Sequence, residues 1–162
     1  MPKNTPIDFD STKPSSPFYN DSHREWRDTL RRWLNKEIAP YVEEWEEAGE
    51  IPLELYKKAS DFGLSRLNYP EEYGGLNAGF DRFHGIVTSE ETAQIGAGGI
   101  FASLMVHGIG LPPILAIGSE EMKQRIAPAV LAGDKRISLG ITEPNAGSDV
   151  ASITTRATRE GD

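Results

Sequence analysis

Asp21-Ser-His-Arg-Glu-Trp26-Arg-Asp-Thr-Leu30-Arg-Arg-Trp33-Leu34-Asn-Lys-Glu-Ile38-Ala-Pro40-Tyr41-Val42-Glu-Glu-Trp45 is the stretch that decides the fold class. Trp26, Leu30, Trp33, Leu34, Ile38, Tyr41, Val42 and Trp45 recur at spacings of three and four, which is one apolar stripe along a helix. The three tryptophans share that stripe, so they read as core rather than as a ligand cage. Asp21 or Ser22 can cap the helix, and Glu25 stands three residues after Ser22 in a capping-box arrangement. Pro40 removes a backbone donor inside the stripe and predicts a kink or a split.

Outward from this stretch the chain falls into three parts. Residues 1–20 are polar, with Pro2, Pro6, Pro14 and Pro17, and read as a disordered or extended arm. Residues 21–134 read as a helical domain. Glu43, Glu44, Glu46, Glu47 and Glu50 have no His near them and read as a solvated helix face. A second helix starts at Pro52, runs through Leu55, Tyr56, Ala59 and Phe62, and ends on Gly63. Asp81 caps a third, with Phe83, Ile86, Val87 and Glu90 on one face, so Glu90 reads as a buried acid bonded to a neighbouring helix end. Ile100 to His107 reads as a short buried helix, Pro112-Pro113 start another, and Ser119 caps one with Met122, Ile126 and Val130 inward. His107 reads as a core histidine, and no metal site is assigned.

After Asp134 the period changes to two. Arg136 to Thr142 and Ser152 to Thr158 read as strands, so residues 135–162 are expected to open a β domain. The fold class expected is mainly α: a helical bundle followed by the first strands of an incomplete β domain. Two strands alone are marginal in water.

Composition narrows the function. The chain has 162 residues, with 17 Lys plus Arg against 25 Asp plus Glu, a net charge of −8. No basic cluster suits a nucleic-acid backbone. With no Cys, disulfides, thiolate ligands and thiol nucleophiles are all excluded. The apolar runs are interrupted by Gly, Pro or His, so no membrane span is expected, and the N-terminus reads as neither signal peptide nor organelle presequence. The expectation is a cytoplasmic chain. Neither a Rossmann fingerprint nor a P-loop occurs.

The chemistry sits in Ile141-Thr142-Glu143-Pro144-Asn145-Ala146-Gly147-Ser148-Asp149, a turn with hydroxyls on both flanks. It can present N–H and O–H donors to a planar polar ligand or an anion, or serve as an ordinary connection. The segment resembles the flavin-contacting signature of the acyl-CoA dehydrogenase family, which reads T-E-P-x-A-G-S-D. Further landmarks of that family recur in order: Pro40 to Trp45, Asp61-Phe62-Gly63-Leu64, Pro70-Glu71-Glu72-Tyr73-Gly74-Gly75, Val106-His107 and Gly118-Ser119-Glu120-Glu121.

The resemblance implies a flavoprotein oxidoreductase with FAD as cofactor and an acyl-CoA as substrate. It implies FAD contacts at Leu139, Ile141, Thr142, Gly147 and Ser148. It implies an acyl pocket lined by Ala102, Met105, Val106 and Ile109, with Ser148 also approaching the acyl-CoA. In the family, α,β-dehydrogenation gives a trans-2-enoyl thioester. The catalytic base is a Glu of the C-terminal domain, so no residue of this chain is assigned as catalytic and the chain alone is expected to be inactive. An electron acceptor and a homo-oligomeric full-length protein are also implied. A flavin oxidase or monooxygenase of the same fold, and a non-catalytic helical interaction module, stand as alternatives.

Overall fold

The computed structural model describes Ile7 and residues 16–161. The greater part of the expected N-terminal arm, residues 1–6 and 8–15, lies outside the described residues. Seven α-helices follow: α1 (Asp21–Glu37), α2 (Val42–Ala48), α3 (Leu53–Phe62), α4 (Arg82–Ile95), α5 (Gly98–Leu104), α6 (His107–Ile117) and α7 (Glu120–Leu131).

The apolar stripe of α1 builds the main core. Leu30, Leu34 and Ile38 are fully buried, and Trp26 packs with them against Leu55, Ala59, Val87, Ile100 and Leu104. Each such aliphatic side chain is worth roughly 1.5–3 kcal/mol on burial. The indole N–H of Trp26 donates to Thr88 Oγ1 at 2.9 Å, and its ring stacks on Phe62. Trp33 and Trp45 lie partly buried against the same cluster. Pro40 splits the first helix as expected: a 3-10 turn at Ala39–Tyr41 separates α1 from α2. Glu43, Glu44, Glu46, Glu47 and Glu50 are all exposed. A second cluster of Tyr73, Leu111, Ala127, Val130 and Leu131 joins α6 and α7 to the loop after α3.

The helix ends differ from expectation at several points. Asn20, and not Asp21 or Ser22, caps α1, with His23 rather than Glu25 completing the box. An imidazole Nδ1 is an acceptor like a carboxylate, so it serves equally well. Gly63 ends α3 in the left-handed region, as expected. Helix α6 begins at His107 and carries Pro112 and Pro113 inside it. Buried His107, Gly110 and Leu111 hold that first turn and a half in place despite the lost backbone bonds. Met122 is exposed, because the buried face of α7 is set by Ala127, Val130 and Leu131.

The two expected strands are not formed among the described residues. The only regular piece after Leu131 is a 3-10 turn at Val150–Ser152. Neither Arg136–Thr142 nor Ser152–Thr158 has a partner to complete a ladder, and unpaired strand segments adopt no sheet geometry.

Gly98–Ile117 is a predominantly apolar run of 20 residues, with mean hydropathy 1.9 over its most apolar 18. That run is longer than its Gly, Pro and His content suggests. It folds as two helices of 7 and 11 residues, broken at Met105–Val106. Neither approaches the ~20 residues of one spanning helix.

Candidate functional site

The turn from Glu143 to Ala146 closes on itself. Glu143 N–H donates to Ala146 O at 2.9 Å and Ala146 N–H returns to Glu143 O at 3.2 Å. Ala146 is buried, which anchors the turn. The Glu143 carboxylate accepts from Thr154 N–H, the Thr154 hydroxyl and Thr155 N–H, folding the following segment back onto the turn. These donors lower its pKa to about 2. Asp149 accepts from the Ser152 hydroxyl at the start of the 3-10 turn. Both acids of the signature are therefore tied into the loop.

Around this scaffold, Leu139, Ile141, Thr142, Gly147 and Ser148 are all exposed. A Cβ placed on Gly140 or Gly147 would meet nothing within 4 Å, so the approach to the backbone is open. The hydroxyls of Thr142 and Ser148 and the open backbone suit the polar edge of a planar ring such as a flavin.

Of the expected acyl-lining residues, Ala102 lies on α5, Met105 and Val106 at the break, and Ile109 on α6. Ala102 and Ile109 are exposed, while Met105 and Val106 are partly buried. The chain leaving α7 is fixed next to them. Val106 lines one small cavity with Lys135, Arg136 and Ile137. Gly110 lets that segment approach, since a Cβ there would lie 3.0 Å from Ile137. Gly133 has φ +75° and passes so close to α3 that a Cβ would stand 2.5 Å from Tyr56 O. The Arg136 guanidinium lies over the Tyr56 ring, 5.5 Å from its centroid. The helical domain thus fixes where the strand-like segment sets out toward the turn.

The internal acids are committed elsewhere. Glu90 pairs with Arg27 Nη2 at 2.7 Å, a side chain on α1 rather than the helix end expected from sequence. Glu91 is the more buried and pairs with Arg27 at 2.9 Å and Arg31 at 2.8 Å. His107 is buried as expected, and burial holds its pKa below the ordinary value.

One cluster was not anticipated. His23 and His84, both buried, meet across Asp81: Asp81 Oδ1 is 2.9 Å from His23 Nε2 and 3.0 Å from His84 Nδ1. The contact with His23 is the largest influence holding the Asp81 carboxyl well below the usual carboxylate range, and the His84 and Phe83 backbone N–H groups add to it. The signal was present as two copies of one pattern, Asn20-x-x-His23 and Asp81-x-x-His84, each a capping box with His at its third helical position.

The profile of the acyl-CoA dehydrogenase N-terminal domain matches residues 20–134. The chain belongs to the acyl-CoA dehydrogenase family. It is 36% identical over 165 residues to the acyl-CoA dehydrogenase apdG of Emericella nidulans, covering 91% of this chain and 37% of that protein. The crystal structure of acyl-CoA dehydrogenase from Geobacillus kaustophilus superposes with a TM-score of 0.79 at 33% identity, over 90% of this chain and 38% of that one. A glutaryl-CoA dehydrogenase of Mycobacterium smegmatis, solved in complex with FADH2, gives 0.75 at 30% identity, over 88% and 36%. The chain thus spans under two-fifths of the length of these relatives.

Proposed function

We propose that this chain supplies the helical domain and the flavin turn of an FAD-dependent enzyme that oxidises an acyl-CoA thioester to its trans-2-enoyl-CoA. The observation that carries this is the exposed Thr142–Ser148 turn, braced by Glu143 and aimed outward from a helical domain of this family. FAD, when bound, supplies the hydride acceptor.

The roles of this chain's residues follow from their chemistry. Thr142 and Ser148 offer hydroxyl donors, and the backbone around Gly147 offers amides. Such donors stabilise negative charge on an adjacent ring. Leu139 and Ile141 offer apolar contact to its face. Ala102, Met105, Val106 and Ile109 offer an apolar wall to an acyl chain, worth roughly 0.8 kcal/mol per methylene buried. Proton removal from the substrate needs a free carboxylate. Glu90, Glu91, Glu143 and Asp149 are all engaged as described, so none is assigned that role.

The test is product analysis. The full reading frame, incubated with acyl-CoA thioesters and an artificial electron acceptor, is expected to yield a thioester lighter by two hydrogens. Unchanged thioester across chain lengths, with flavin bound, would reject the reaction while leaving the fold intact.

A further inference from the structure

We propose that His23, Asp81 and His84 form a binding site for a divalent transition-metal ion of the Zn²⁺, Co²⁺ or Ni²⁺ type, stapling the N-terminal ends of α1 and α4. Each of the three residues offers one ligand atom, and these atoms all lie within 4.8 Å of one another. Imidazole nitrogen with one carboxylate oxygen is a donor set suited to such borderline ions.

The hydrogen-bond pattern supplies the stronger argument. His84 Nδ1 receives Asp81 N–H at 3.1 Å, so in its neutral form the ring proton belongs on Nε2, which faces Ser22 Oγ at 3.4 Å. The one lone pair of Nδ1, which accepts that N–H, lies beside Asp81 Oδ1, 3.0 Å away, which is itself an acceptor. Two acceptors in contact are relieved by a cation between them, a proton or a metal ion. Coordination through Nδ1 keeps the proton on Nε2, hands the Asp81 amide to water and leaves Ser22 as the outer partner that orients the ring.

His23 requires a change of tautomer. Its Nδ1 accepts Asn20 N–H at 3.0 Å and its Nε2 lies 2.9 Å from Asp81 Oδ1. Coordination through Nε2 moves the ring proton to Nδ1 and hands the Asn20 amide to water, which reaches it because Asn20 is exposed. With metal–ligand bonds of about 2.0–2.1 Å, tetrahedral ligand atoms stand roughly 3.3 Å apart, so the two contacts to Asp81 Oδ1 need to open by only a few tenths of an ångström. The Asp81 side chain is 53% exposed, which gives the ion an entry path and leaves a coordination position for water. The positive ends of α1 and α4 act against a cation, so micromolar affinity is expected rather than that of a closed thiolate site.

The chain contains three histidines, so His107 is an internal control. Zn²⁺ titrated into the ¹⁵N-labelled chain should shift the ring nitrogens of His23 and His84 at one equivalent and leave those of His107 unmoved. Co²⁺ should give a visible absorption band of tetrahedral intensity. Ser22→Ala, which removes the outer partner together with its hydrogen bond to Asn20 Oδ1, should weaken Co²⁺ binding roughly 10-fold. Asp81→Asn and His84→Ala should abolish the band, and the ring-nitrogen titration of the unmodified chain stands even where those variants fail to fold. Unshifted His23 and His84 at excess Zn²⁺, or equal shifts at all three histidines, would overturn the proposal.

Discussion

At the scale of the residue, buried charge is the most consequential feature of the helical domain. Arg27 is 1% exposed and Glu91 2%, and their charges are tolerated within an ion-pair network that also includes Glu90 and Arg31. Arg27→Ala should therefore destabilise by ~3–5 kcal/mol, since it takes a buried partner from both Glu90 and Glu91 and leaves Glu91 with Arg31. A paired apolar replacement of Arg27 and Glu91 should cost less than that single change, as measured by urea denaturation. If the single variant costs no more than a surface substitution, the ion pair is not buried as described.

Glu143 gives a pH-dependent prediction. Its pKa is depressed to about 2 in the folded loop, from an ordinary value near 4.5. A depressed carboxylate pKa means that the contribution to order is complete above the unfolded value and is lost as pH falls through the folded one. The amide resonances of Thr154 and Thr155 should hold steady from neutral pH to about 5 and move between about 4.5 and 2. Glu143→Gln should show the low-pH spectrum of this loop already at pH 7. An unchanged loop in that variant would remove the brace from the account.

At the scale of the element, close backbone approach is what places the segment leading to the Thr142–Ser148 turn. Gly133 is the tightest point, with its positive φ and the Tyr56 carbonyl in the space of a side chain. Gly133→Ala should cost at least ~1–2 kcal/mol from the left-handed backbone alone, and more from the clash with backbone that cannot swing aside. Gly110→Ala meets only the Ile137 side chain and should cost less. Denaturation midpoints of the two variants rank them directly; the reverse order would show that α3 does not fix this segment.

Helices with a period of 3.6 and a punctuating residue are readable in the sequence alone. The α1 stripe, the break at Pro40, the Gly63 end of α3 and the Asp81 and Ser119 caps all depend on local chemistry. What was not readable depends on partners distant in the chain. The strand-like periodicity of residues 136–142 and 152–158 describes which side chains alternate, and says nothing of whether a neighbouring strand is present. The His23–His84 pair is separated by 61 positions, and only the packing of α1 against α4 brings the rings to 4.2 Å between centroids. Glu90 could be recognised as inward-facing, but its partner Arg27 lies across that same packed interface.

At the scale of the whole molecule, the helical domain is self-sufficient in its core and unpartnered on part of its apolar surface. Ile109 is 62% exposed and Ile117 88%, and Leu139, Ile141 and Val150 are also open to solvent. The proposed function gives part of that surface a role: Ile109 toward an acyl chain, and Leu139 and Ile141 toward a flavin. The candidate flavin residues are legible as a motif, Thr142 to Asp149, because a turn signature is local. Their exposure and their bracing by Glu143 are visible only in three dimensions.

The central claim is that the Thr142–Ser148 turn belongs to a working flavin site. The most direct measurement is the visible absorbance of the purified full reading frame, titrated anaerobically with an acyl-CoA. The account predicts a yellow protein whose flavin band bleaches on addition of the thioester. A colourless, flavin-free protein, or a flavin band that no acyl-CoA reduces, would contradict it.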